Sequence, residues 1–150
     1  MAVDAVIDTN VILNAKNSKE ALSRYSVQVI DAIEEGAIRG IISTISIAEL
    51  CAGYYSQDDI KGKDELIAHL VSSKHFLIVD FDLKLADEAA RIRAETGLRL
   101  PDSIIVATGL ANDAKCIITN DKELKKAKSH LDVVSPKEML AKLRRESRKK

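Results

Sequence analysis

The sequence predicts an α/β protein, a three-layer α/β/α sandwich built on a five-stranded parallel sheet. Short, wholly apolar runs such as Ala5-Val6-Ile7, Phe76-Leu77-Ile78-Val79 and Cys116-Ile117-Ile118 are spaced along the 150 residues, with amphipathic stretches of helical periodicity between them. Parallel strands are covered by helices on both faces, so they read as continuous apolar runs and do not alternate with polar residues. Nothing repeats internally and no Pro- or Gly-rich linker interrupts the pattern, so residues 1–150 are read as one domain.

Each element follows from its own residues. Ala5-Val6-Ile7 gives the first strand. The long stretch after it carries Val27, Ile30, Ala32 and Ile33 at helical spacing and ends at Gly36. A second strand starts at Ile41-Ile42 and runs to about Thr44. Ser46 to about Tyr55 reads as a helix, and Lys63 to Ser73 as another, with Leu66, Ile67, Leu70 and Val71 on one face. Phe76–Val79 is the third strand. Leu85, Ala89 and Ile92 line a helix that stops near Gly97, and Pro101 opens the next. Cys116 to Thr119 is the fourth strand, followed by a short basic helix, and Val133-Val134 is the fifth. Pro136 takes the first position of the last helix, with Ser135 as N-cap and Glu138 completing a capping box.

Composition narrows the function. With 46% hydrophobic and 31% charged residues the chain is globular, and no apolar run reaches the ~18–20 residues of a membrane span. Asp4 and Asp8 interrupt the N-terminal apolar stretch too early for a signal peptide, which points to a cytoplasmic protein without membrane contact. Cys51 and Cys116 lie far apart and read as buried thiols. The net charge of zero is uneven: residues 142–150 hold six basic side chains against Glu146, which leaves the rest acidic. An acidic body with five aromatics and no Trp argues against general nucleic-acid binding, so any such role must be local. The basic end, about 144–150, suits the negative end of the last helix. No apolar residue after Leu143 holds it down, so it is expected to fray.

In open parallel sheets, function gathers beyond the carboxyl ends of the strands, where strand order reverses. Four acids fall there: Asp8 after the first strand, Glu49 one turn into the helix after the second, Asp102 in the turn opened by Pro101, and Asp121 just past the fourth. Each also has a structural reading. Glu49 completes a capping box with Ser46, Asp102 favours a helix N-terminus, Asp121 follows a possible Asn120 cap, and Asp8 starts a turn. Convergence separates the readings, because four like charges at one sheet end raise each other's pKa unless a cation sits among them. All-oxygen carboxylate sets select Mg²⁺ or Mn²⁺, and His69, His75 and His130 form no zinc spacing. The chemistry such a site best supports is hydrolysis of a phosphodiester.

At the same residues the sequence resembles PIN-domain ribonucleases. Val6-Ile7-Asp8-Thr9-Asn10-Val11-Ile12-Leu13, Ser46-Ile47-Ala48-Glu49-Leu50, Leu100-Pro101-Asp102-Ser103 with Ala107-Thr108, and Thr119-Asn120-Asp121 match the family's four motifs in order. The pattern is most like VapC-type toxins of toxin–antitoxin pairs. The resemblance implies strand order 3-2-1-4-5, a Mg²⁺ or Mn²⁺ site at Asp8, Glu49, Asp102 and Asp121, and cleavage of single-stranded RNA regions. It also implies supporting roles for Thr119, which would orient an acid or water, and for Asn10, which would hydrogen-bond a carboxylate. It further implies a homodimer and a small antitoxin that places an Arg among the four acids. A nuclease of RNA processing or decay is the alternative, and a catalytically idle scaffold a third reading. From another class, a phosphoacceptor receiver would use Asp80 and Thr119 and leave Glu49 and Asp102 without a role. Tyr54 and Tyr55 are candidates for base stacking or packing, and Arg91, Arg93 and Arg99 for phosphate contact or a solvated face.

Overall fold

The computed structural model describes residues 2–17 and 19–149. Five strands, β1 (Val3–Ile7), β2 (Ile38–Ser43), β3 (Phe76–Val79), β4 (Cys116–Ile118) and β5 (Asp132–Val134), form one parallel sheet of order β3-β2-β1-β4-β5. The expected 3-2-1-4-5 topology is therefore present. Among the described residues, seven α-helices surround it: α1 (Thr9–Lys16), α2 (Ser23–Glu34), α3 (Thr44–Ser56), α4 (Ile60–Ser72), α5 (Leu83–Thr96), α6 (Leu100–Ala111) and α7 (Pro136–Arg148).

Alternate strand residues feed two cores. Ala5, Ile7, Ile42 and Ile118 point toward a cluster completed by Val11, Val29, Ile33, Leu50, Leu70 and Met139 from α1, α2, α3, α4 and α7. Val6, Ile41 and Ile117 point the other way, onto Ala89 and Ile92 of α5 and Ile105 and Val106 of α6. This two-sided burial makes the strands apolar without alternation. Gly36 and Gly97 both take positive φ, at 85° and 74°, and close α2 and α5 where the sequence placed their ends. Ser135 and Glu138 form the expected capping box on α7.

Several expectations need correction. The stretch after β1 contains a separate helix, α1, because the apolar positions Val11 and Ile12 bury against the sheet within two turns. α3 begins at Thr44, two residues early: Ser43 is its N-cap, accepting from the Ile45 N–H, so Ser46 lies inside the helix and forms no capping box with Glu49. α4 starts at Ile60, capped by Asp59. The short basic helix is a 3-10 helix, Lys122–Ala127, capped by Asp121 and not by Asn120. Cys116 is buried but Cys51 only partly so. α7 continues to Arg148 with the side chains of 145–149 exposed.

The topology also removes the receiver reading. That class keeps its third strand beside the first. Here β3 is an edge strand, separated from β1 by β2, so Asp80 and Thr119 belong to opposite sides of the sheet's centre.

Candidate active site

The backbone ladder brings the first two residues of the site together. Ile7 pairs with Ile118, and the next step is continued by the Asp8 N–H bonding the Ile118 carbonyl at 3.1 Å. Asp8 and Thr119 thus meet just past the carboxyl ends of β1 and β4, where strand order reverses. Asp8 occupies the N-cap position of α1 yet makes no capping hydrogen bond, so its carboxylate is available to other partners. Thr119 Oγ1 donates to its Oδ2 at 2.7 Å, and Asn10 Nδ2 donates to the same oxygen at 3.0 Å. Asn10 is itself held by the Asn120 N–H on its Oδ1, at 3.1 Å.

Asp102 and Asp121 arrive from helix starts, and Glu49 from the second turn of α3. Glu49 on α3 accepts from Thr9 Oγ1 at 3.2 Å, and Thr9, buried at the first position of α1, is a site residue that the sequence reading did not single out. Once α1 is recognised, its place beside Asp8 is the signal that would have found it. Asp102, 5% exposed in the first turn of α6, accepts from Arg99 Nε at 3.3 Å. Asp121 accepts the Glu123 N–H at 2.9 Å, while its own N–H donates to Thr119 Oγ1 at 2.9 Å. Asp8, Asn10, Glu49, Asp102 and Asp121 line one cleft of about 190 Å³, together with Thr9 and Arg99.

Electrostatics single out Asp8. Its pKa is pushed up to about 6, first by burial; the Thr119 hydrogen bond acts the other way, and the like charges of Asp102 and Glu49 add to the rise. Crowding was the expected cause and it contributes, but loss of hydration is the larger effect because Asp8 is 7% exposed. The Arg99 guanidinium is raised by its contact with Asp102 and by the charges of Asp121 and Glu49.

The donor chemistry fits a hard divalent cation: four carboxylates, no His or Cys, and a buried charge at Asp8 met by neutral donors. The carboxylates nevertheless stand apart. Among the described residues no three His, Cys, Asp or Glu side chains come close enough to hold one ion. Each is drawn to a protein partner: Glu49 to Thr9, Asp102 to Arg99, Asp121 to the start of the 3-10 helix.

The remaining candidates lie elsewhere. Tyr54 packs on the core and accepts a hydrogen bond from Lys16, while Tyr55 is exposed beneath Lys63. Arg91 pairs with Glu88 and Glu95, and Arg93 donates to the Leu98 carbonyl. His69 pairs with Glu34 and His130 with Glu95. A roomier apolar cleft of about 270 Å³, beside Ile12, Val27 and Leu70, contains none of the four acids.

Fold and cleft together define an α/β protein whose site lies outside the carboxyl ends of a parallel sheet, at its reversal point, and is built from acids. The model of the PIN domain matches residues 5–129, and the chain belongs to the PIN-domain family, whose members are nucleases. No curated protein matches it significantly. Among solved structures it is similar to FitAcB from Neisseria gonorrhoeae, at 25% identity and TM-score 0.67 over 88% of this chain and 97% of that one. It is also similar in fold to a toxin–antitoxin complex from Klebsiella pneumoniae, at 23% identity and TM-score 0.68 over 88% and 97% of the two chains. A third, VapBC2 from Rickettsia felis bound to a DNA fragment from their promoter, is 19% identical with TM-score 0.68 over 89% and 98%. Among the described residues no helix is long and apolar enough to cross a membrane.

Proposed function

We propose that the chain is a metal-dependent endoribonuclease that hydrolyses phosphodiester bonds in single-stranded regions of RNA, and that it is the toxin of a toxin–antitoxin pair. The observation that carries the reading is Asp8: a buried carboxylate at the reversal point, unused as a helix cap, with its pKa raised and three more acids lining the same cleft. A charge kept in so costly a place is accounted for by a cation that the protein binds in function.

Asp8, Asp102, Asp121 and Glu49 would hold Mg²⁺ or Mn²⁺ once Glu49, Asp102 and Asp121 turn from the protein partners that draw them apart at rest. A bound ion would supply positive charge beside the scissile phosphate and lower the pKa of a water used in the hydrolysis. Thr119 and Asn10 fix one oxygen of Asp8 by two hydrogen bonds, which orients the carboxylate and sets its basicity. Thr9 does the same for Glu49.

The test is degradation of a single-stranded RNA with Mg²⁺ or Mn²⁺ and with EDTA. Activity is expected with metal only, and Asp8→Asn and Asp102→Asn are each expected to lower it on the order of a hundredfold or more, since loss of a residue that merely supports a metal ligand already costs ~10–100-fold. Full activity in both variants, or activity unaffected by EDTA, overturns the assignment.

The toxin half of the proposal is supported by the similar fold of a toxin–antitoxin complex from Klebsiella pneumoniae. An acidic cleft is best closed by a planar guanidinium, so the partner is read as a small antitoxin carrying an Arg that reaches the four acids. Its inhibition should weaken as Mg²⁺ is raised, because both cations seek the same oxygens. A homodimer in the cytoplasm completes the reading; light scattering of the purified chain tests the dimer.

A further inference from the structure

Three arginines, Arg91, Arg93 and Arg99, stand in the segment leading to Asp102, and they do different work. Arg91 is held between Glu88 and Glu95 on the outer face of α5. Arg93 closes the end of α5 by donating to the Leu98 carbonyl. Arg99 alone lines the acid cleft and, among the described residues, is the one basic side chain that does.

Its attachment is unequal along its length. The backbone is pinned, because the Ser103 N–H and Ser103 Oγ both donate to the Arg99 carbonyl, at 3.0 and 3.1 Å. The side chain is 75% exposed and touches Asp102 through Nε alone, at 3.3 Å, whereas a strong Arg–carboxylate pair is bidentate and shorter. Arg99 stands at the N-cap position of α6 but caps nothing with its side chain. A guanidinium on a fixed pivot, held by one long contact in water, is cheap to redirect.

The substrate gives it somewhere to go. A polyanion entering a cleft of four carboxylates is repelled, and a cation at the rim offsets that repulsion while its planar fork fits a phosphate. We propose that Arg99 is a phosphate-binding residue of the cleft: it rests on Asp102 when no RNA is bound and exchanges that carboxylate for a backbone phosphate of the RNA when substrate enters. The assignment rests on the ribonuclease reading above and deepens it. The same exchange frees an oxygen of Asp102, so one movement both receives the substrate and releases an acid of the site.

The experiment measures binding of a fluorescent single-stranded oligoribonucleotide by anisotropy in the inactive Asp8→Asn background, with and without Arg99→Gln, over a range of salt, and cleavage kinetics with Arg99→Gln alone. Arg99→Gln is expected to weaken binding about tenfold and to reduce the slope of log Kd against log salt by about 0.7, the value of one single-strand phosphate contact. In the cleavage assay KM should rise by a similar factor with kcat changed far less. Arg99→Lys should keep the salt slope and recover part of the affinity. Arg91→Gln removes the same charge from the outer face and should alter neither quantity. If wild type cleaves RNA and Asp8→Asn binds it, but Arg99→Gln leaves Kd, slope and KM unchanged or matches Arg91→Gln, the assignment of Arg99 fails while the ribonuclease reading stands. If wild type neither cleaves nor binds RNA, both fail.

Discussion

At the scale of single residues, Asp8 shows how position sets chemistry. Its ordinary pKa of 3.8 is raised to about 6 in the folded chain, chiefly by burial. Between those two values the folded state holds more protons than the unfolded one, so metal-free stability falls as pH rises through that window and stays low above it. A shift of this size corresponds to on the order of 3 kcal/mol. Asp8→Asn cannot ionise and is expected, in EDTA at about pH 8, to melt several degrees above wild type, with the gap closing near pH 4 and a smaller response to added Mg²⁺. Thermal melts of both proteins across that range check the sign. A wild-type curve that does not fall between pH 4 and 6, or an apo variant that melts no higher with its fold intact, contradicts the burial account. The motif residues themselves were legible: Asp8, Glu49, Asp102, Asp121, Asn10 and Thr119 all line or support one cleft. Thr9 was not, because a hydroxyl following an acid carries no signal until the start of α1 is known.

At the scale of elements, the start of α3 separates two serines that look alike in sequence. Ser43 caps the helix, whereas Ser46 is fully buried with no partner for its hydroxyl among the described residues. Ser43→Ala is therefore expected to cost about 1 kcal/mol. Ser46→Ala should be neutral or stabilising by up to about 1 kcal/mol, since it removes a buried polar group that bonds nothing. Chemical denaturation of both variants decides, and the reverse order would restore Ser46 as the cap. α6 carries a second test. A methyl at Gly109 would stand 2.7 Å from Leu131 Cδ2 and 2.9 Å from Val6 Cγ2. Alanine gains up to about 1 kcal/mol of helix propensity there, but overpacking costs ~1–3 kcal/mol, so Gly109→Ala is expected to destabilise. A variant more stable than wild type would mean that α6 moves off β1 freely. Helix ends with a local chemical cause, Gly36, Gly97 and Ser135, were read from sequence; α1 was not, because its apolar pair Val11 and Ile12 is too short to show a period.

At the scale of the whole molecule, the sheet order turns scattered acids into one site. β1 and β4 are adjacent although more than a hundred residues separate Asp8 from Thr119, and Glu49 on the helix after β2 and Asp102 at the start of α6 line the same cleft. On the proposed ribonuclease reading, a cleft of that kind, open in a cell full of RNA, is a hazard unless a partner covers it. Expression of this chain alone is expected to slow growth and expression of Asp8→Asn is not. Equal growth of the two cultures, at equal protein levels, removes the toxin and leaves a processing or decay nuclease as the better reading.

The sequence by itself determined the class of fold, the approximate place of each strand and the helix ends at Gly36, Gly97 and Ser135, and it marked the four carboxylates that share the cleft, because each of these is written in neighbouring residues: apolar runs, helical periods, turn formers and motifs a few residues long. Only the tertiary structure decided what those carboxylates are doing at rest. Burial, rather than crowding, is the main cause of the Asp8 shift; Glu49 leans on Thr9, Asp121 caps a helix, and Arg99 is separated from Arg91 and Arg93 as the cation of the cleft. Hydration lost by a side chain, and the partner it finds instead, depend on residues distant in the chain that meet only when the sheet is assembled.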